Sequence, residues 1–170
     1  MKKALTFLLL LLTFGSCVKP PTYPDEPFIE FVSVSSDYIY SGSTDTITIS
    51  FTDGNGDIGV SPSADDSCNV CGLQTGDSTC LFLNGFNVFL IDHRNKCIST
   101  FASANVQPKG KFDDISGEIS IITNIYTEKC FAAPQPGCPK DTVVYSILIK
   151  DKAGNRSNIV QTTPIIVDGE

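Results

Sequence analysis

Three oxygen-bearing side chains, Asp53, Asn55 and Asp57, occupy alternate positions of the stretch ISFTDGNGDIGV, interleaved with Gly54 and Gly56. This spacing lets one turn of chain aim three oxygens at a single hard cation, as positions 1, 3 and 5 of a calcium loop do. The pattern departs from an EF-hand further on. Ile58 stands at the sixth position, where that loop needs Gly, and Ala64 at the twelfth, where it has a bidentate Glu. Asp65, Asp66 or Asp151 could supply the missing carboxylate. Extracellular calcium modules bind at about 0.1–1 mM, so calcium here would order a loop rather than act as a switch. The competing reading is a Gly/Asn turn whose acids are solvated or hydrogen-bond their own backbone.

Other chemistry finds little support. The sole histidine, His93, lies in Asp92-His93-Arg94-Asn95, which reads as a hairpin turn between strands. No Gly-x-Ser-x-Gly elbow, phosphate loop or His-rich metal motif is present, and general acid–base work needs a positioned base with a partner. Asp113 and Asp114 are sequence neighbours, so on a strand they point to opposite faces. The chain is expected not to be an enzyme.

The chain has 12 basic and 19 acidic residues, a formal charge of −7. An acidic surface repels nucleic acid and favours cations, which excludes nucleic acid as a partner. Of seven cysteines, Cys17 stands apart. Cys68, Cys71, Cys80, Cys97, Cys130 and Cys138 form an even set that reads as up to three disulfides in an exported chain. Cys68-Asn-Val-Cys71 also matches half of a zinc knuckle, but its second half has no candidate pair. Cys130 and Cys138 bracket a turn-rich loop and are expected to pair. Cys97 then has to reach one of the three cysteines in the segment 61–84, across a strand length of about 23 Å for seven residues.

Export is signalled at the start. MKKALTFLLLLLTFGSC places Lys2 and Lys3 before a short apolar run, which is far below the roughly 20 residues of a membrane-spanning helix. Residues 1–16 are therefore expected to be cleaved. Phe14-Gly15-Ser16-Cys17 resembles the lipobox of bacterial lipoproteins, with Phe14 where an aliphatic residue is usual. The resemblance implies that Cys17 becomes a lipidated N-terminus with three acyl chains (palmitate among them), and several chains hold stably on a membrane. Residues 17–27, with four prolines in VKPPTYPDEP, read as an extended tether. Lys19, Asp25 and Glu26 resemble the charged residues after the lipidated cysteine of surface-exported lipoproteins. The expected location is the outer membrane, at the cell surface or the periplasmic face.

Residues 28–170 carry period-two patterns, at 28–35, 38–40, 45–52, 85–91, 97–102, 117–123, 142–150 and 158–167. In 45–52, Ile47, Ile49 and Phe51 alternate with threonines and a serine; in 142–150, Val143, Tyr145, Ile147 and Ile149 share one face. The expectation is an all-β fold, a single antiparallel β-sandwich of about 7–8 strands with disulfide-stapled loops.

The ending Asp151-Lys-Ala153-Gly154-Asn155-Arg-Ser157 resembles the last hairpin of bacterial immunoglobulin-like modules. The resemblance implies an Ig-like or fibronectin-like sandwich, without the Trp and inter-sheet cystine of antibody domains. With 45–52 as strand B and 142–150 as strand F, the loops that follow them lie at the same end. Asp53, Asn55 and Asp57 would then sit near Asp151 and Asn155.

Two function classes follow. One is a membrane-anchored, non-catalytic interaction or accessory module of the cell envelope, with other envelope proteins as partners. The alternative is a ligand-binding module for surface glycans or peptides, using the acidic loop and a cystine-pinned flap at 61–84.

Overall fold

The computed structural model describes residues 22–60, 69–70, 85–106, 108, 113–128 and 138–169. Among them the chain forms strands β1 (Phe28–Val34), β2 (Tyr38–Tyr40), β3 (Ser43–Asp53), β4 (Asn69–Val70), β5 (Val88–Asp92) and β6 (Ile98–Phe101). These are followed by β7 (Ile115–Ile125), β8 (Cys138–Val143), β9 (Tyr145–Ile149), β10 (Val160–Gln161) and β11 (Ile165–Gly169). No α-helix occurs among the described residues, so the fold is all-β.

Strand β3 shows how the sequence sets the layers. Asp45, Ile47, Ile49, Phe51 and Asp53 are buried, while Thr46, Thr48, Ser50 and Thr52 between them are half-exposed. That is the two-residue repeat of a pleated strand with one face on the core. β3 lies between β1 and β7, antiparallel to both, and runs in register with β7 from Ser43↔Ile125 to Asp53↔Ile115.

A second sheet has the order β10-β9-β5-β6-β4, and a third has β2-β11-β8. β2 runs parallel to β11, whereas the other pairings are antiparallel. One core cluster joins all three sheets, with Ile29, Ile47, Ile49, Val88, Ile121, Val143, Ile147, Ile149, Ile165 and Val167 among its members. Each fully buried aliphatic side chain of this kind contributes roughly 1.5–3 kcal/mol.

The structure redraws several expected boundaries. The strand expected over 142–150 is two, β8 and β9, separated at Val144, and β8 begins earlier at Cys138. Every residue of β9 is buried, not just one face, since it lies centrally between β10 and β5. Its one polar member, Ser146, meets the ring Nε2 of His93 at 2.6 Å. The last strand is likewise interrupted between β10 and β11, where Pro164 has no N–H for a ladder. β4 falls inside the segment expected to be a flap, while the rest of 61–84 lies outside the described residues.

Candidate metal centre

The two-residue repeat also aims the acids. Asp53 ends the inward row Ile47, Ile49, Phe51 of β3, and Asp151 continues the inward row Ile147, Ile149 of β9 by two residues. Both carboxylates are consequently core-facing, with Asp53 at 0% and Asp151 at 1% exposure. The end of a sheet's inner row is where backbone turns replace apolar neighbours, and there a buried polar group can find partners.

Asp57 arrives by a turn. Gly56 has φ +67° and Gly59 φ +101°, conformations that glycine adopts without the Cβ penalty. Between them, Ile58 is fully buried and its carbonyl accepts from Val106 N–H at 3.1 Å. Ile58, which departs from an EF-hand, pins this loop to the core. The Asp57 N–H donates to Asp53 Oδ2 at 3.0 Å and lies 3.3 Å from Asn55 Oδ1.

The turn after β9 meets this loop. Asp151 Oδ1 accepts from Asn155 N–H and Oδ2 from Asn155 Nδ2, both at 2.7 Å, while Gly154 takes φ +94°. Asp151 thus closes the turn onto backbone four residues on, with Gly154 supplying the positive φ. The neighbouring Ala153 N–H donates to Asp57 Oδ2 at 3.1 Å, and Lys152 N–H to the Asp57 carbonyl at 3.3 Å.

Asp53, Asp57 and Asp151 each bring a carboxylate oxygen within 4.8 Å of the others. Asp53 Oδ1 and Asp57 Oδ1 are buried and accept no hydrogen bond. The ion pairs among the described residues involve Asp92, Asp141 and Asp168 instead. Burial, and then the charges of Asp57 and Asp151, push the Asp53 carboxyl up to about 6 against the N–H groups of Asp57 and Gly56. Burial first and Asp151 next also raise Asp57, opposed by Ala153 N–H and by Lys152.

Of the sequence-derived ligand set, the structure gathers Asp53, Asp57 and Asp151. Asn55 lies on the same loop, its oxygen facing the Asp57 N–H. Asp65 lies outside the described residues, as do Cys17, Cys68, Cys71, Cys80 and Cys130. Unforeseen were the donors from Lys152 and Ala153 and a contact from residues 23–24, whose Pro24 carbonyl accepts from Gly54 N–H at 2.8 Å. No helix of the described residues is long and apolar enough to cross a membrane. Comparison with protein families, curated proteins and solved structures finds no match for this chain.

Proposed function

We propose that this chain is a lipid-anchored envelope protein whose immunoglobulin-like sandwich serves as a non-catalytic interaction or accessory module, braced at its anchored end by a calcium ion. The observation that carries the calcium reading is the trio of buried Asp53 and Asp151 with half-buried Asp57, in which two buried oxygens, Asp53 Oδ1 and Asp57 Oδ1, accept no hydrogen bond. An isolated buried charge is costly unless it is paired or holds a metal. Oxygens within 4.8 Å of one another suit a single ion whose ligand distances are about 2.3–2.6 Å. The trio would supply three of the six to eight oxygens calcium takes, with Asn55, backbone carbonyls and water as the remaining donors.

Strand order supports the Ig-like part of the reading. β1-β3-β7 corresponds to strands A, B and E, β9, β5 and β6 to F, C and C′, and β10 with β11 to G. Disulfide bonding at Cys97 and Cys138 supports bridges among the six domain cysteines. The Phe14–Cys17 motif supports the membrane anchor. The glycan or peptide reading draws no strength from the acidic loop, since Asp53 and Asp151 turn inward instead of facing a ligand.

Two measurements test the proposal. Cys17→Ser should move the protein from the membrane to the soluble fraction; unchanged membrane retention counts against the anchor. Affinity capture of the tagged protein from intact envelopes, with calcium or with chelator, should return other envelope proteins. Recovery of surface glycans alone, by contrast, would favour the ligand-binding alternative.

A further inference from the structure

The segment entering the domain rests on the acidic loop. Tyr23 N–H donates to Asp114 Oδ1 at 2.7 Å, and the Pro24 carbonyl accepts from Gly54 N–H at 2.8 Å. Gly54 lies between Asp53 and Asn55, and its Cα faces the entering backbone so closely that a Cβ would stand 2.3 Å from the Tyr23 carbonyl oxygen and 2.7 Å from that of Pro24. On another side of the same loop a Cβ on Gly56 would stand 2.4 Å from the Asp113 carbonyl oxygen. Residues 23–24 and 113–114 thus hold the loop's backbone between them, and Asp53 itself pairs with Ile115 at the start of β7.

We infer that a divalent cation held by Asp53, Asp57 and Asp151 locks residues 23–27 onto the domain, so that the cation controls the stiffness of the joint between the domain and the chain preceding it. The inference rests on the cation site proposed above. Without a cation, the three clustered carboxylates repel one another, and the glycines at positions 54, 56 and 59 let the loop relieve that repulsion by moving. Any such movement shifts the Gly54 N–H and loosens its bond to Pro24. With the cation bound, the loop is fixed from inside, and the Gly54 N–H becomes a rigidly held donor to the Pro24 carbonyl. A tether that joins a fixed surface holds the domain in a narrow range of orientations, whereas one that joins a mobile loop does not.

The test is hydrogen exchange of the whole chain, resolved residue by residue, with calcium and with chelator. At about 1 mM calcium and a dissociation constant near 0.1 mM, linkage makes opening about tenfold rarer. The Tyr23 and Gly54 amides should therefore slow about tenfold, together with those of Asp57 and Asn155. Calcium protection of Asp57 and Asn155 with no change at Tyr23 and Gly54 would overturn the joint while leaving the cation site intact. No protection at any of the four would overturn both. Gly54→Ala, which keeps all three carboxylates, should retain calcium binding within about threefold and lose the protection at Tyr23. Asp114→Ala, which removes the acceptor of Tyr23 N–H and leaves the loop itself untouched, should do the same. Calcium-dependent protection of Tyr23 persisting at full size in Asp114→Ala would contradict the mechanism.

Discussion

At one end of β9, Asp92 and Asp141 close around Arg94; at the other, Asp53, Asp57 and Asp151 face one another. The guanidinium of Arg94 reaches Asp92 Oδ2 and Asp141 Oδ2 at 2.6 Å each, and donates to the Tyr126 carbonyl at 3.0 Å. Burial pushes Asp141 up, yet the Glu128 N–H, Arg94 and the Thr142 N–H together hold it below the usual carboxylate range. At the other end no ion pair forms among the described residues, and Asp53 is pushed up to about 6. Both clusters draw on strand-end turns, with Asp141 contributed from within β8. They differ in positive charge: the first carries its own, whereas the second, on the function proposed above, takes one from solution.

The largest expected effect breaks the self-sufficient cluster. Arg94→Met leaves Asp92 and Asp141 without their counter-charge, and removing one partner of a buried pair costs about 3 kcal/mol. Urea unfolding should show this loss with and without calcium alike. A loss below about 1 kcal/mol would mean the network holds little of the fold.

Next comes the backbone that shapes the acidic loop. Gly56→Ala places a Cβ 2.4 Å from the Asp113 carbonyl oxygen at φ +67°, at a cost of about 2 kcal/mol. Unlike Arg94→Met, it should also weaken calcium binding, measured calorimetrically, because Asp57 follows immediately. Unchanged binding would show that the loop's curvature does not set the site.

Asp53→Asn should separate the two regions most cleanly. It removes one of three mutually repelling charges, so stability in chelator should stay level or rise. The gain on adding calcium, about 1.4 kcal/mol at tenfold excess over the dissociation constant, should vanish. A destabilised chelated protein would show that the charge is compensated within the chain.

The smallest effect is in pH. The Asp53 carboxyl titrates near 6 when folded and near about 3.9 when unfolded. The folded state thus holds an extra proton between those values, and stability in chelator falls as pH rises through the window and stays low above it. Melting in chelator should accordingly be higher at pH 5 than at pH 7.5, and Asp53→Asn should abolish the difference. Asp141 behaves oppositely: its folded value is depressed, so its contribution is present above about pH 4 and lost only as pH falls below that.

Much of this contrast was visible in the residues, but unevenly. The alternation of Ile47, Ile49 and Phe51 was enough to place β3, and strand order then brought Asp53 and Asp57 to Asp151. The same two-residue count, carried one step further, makes Asp53 and Asp151 members of the inward rows. The Arg94 cluster was not legible, because Asp-His-Arg-Asn looks like any polar turn and its second carboxylate, Asp141, is 47 positions away. Periodicity reports which face a residue takes, not which distant turn it meets. The break at Val144 was hidden for a related reason, since the apolar row runs through it without interruption. Nor did a proline-rich stretch announce that Tyr23 and Pro24 are docked, since their partners are backbone groups of Gly54 and the side chain of Asp114.

The most direct test of the central claim is calorimetric titration of the protein with calcium, alongside its melting temperature in calcium and in chelator. The account predicts one calcium per chain at the acidic loop, with a dissociation constant on the order of 0.1 mM. The melting temperature should rise about 3–5 °C in millimolar calcium, with both effects absent in Asp53→Asn. No binding heat, together with a melting temperature indifferent to calcium, would contradict it.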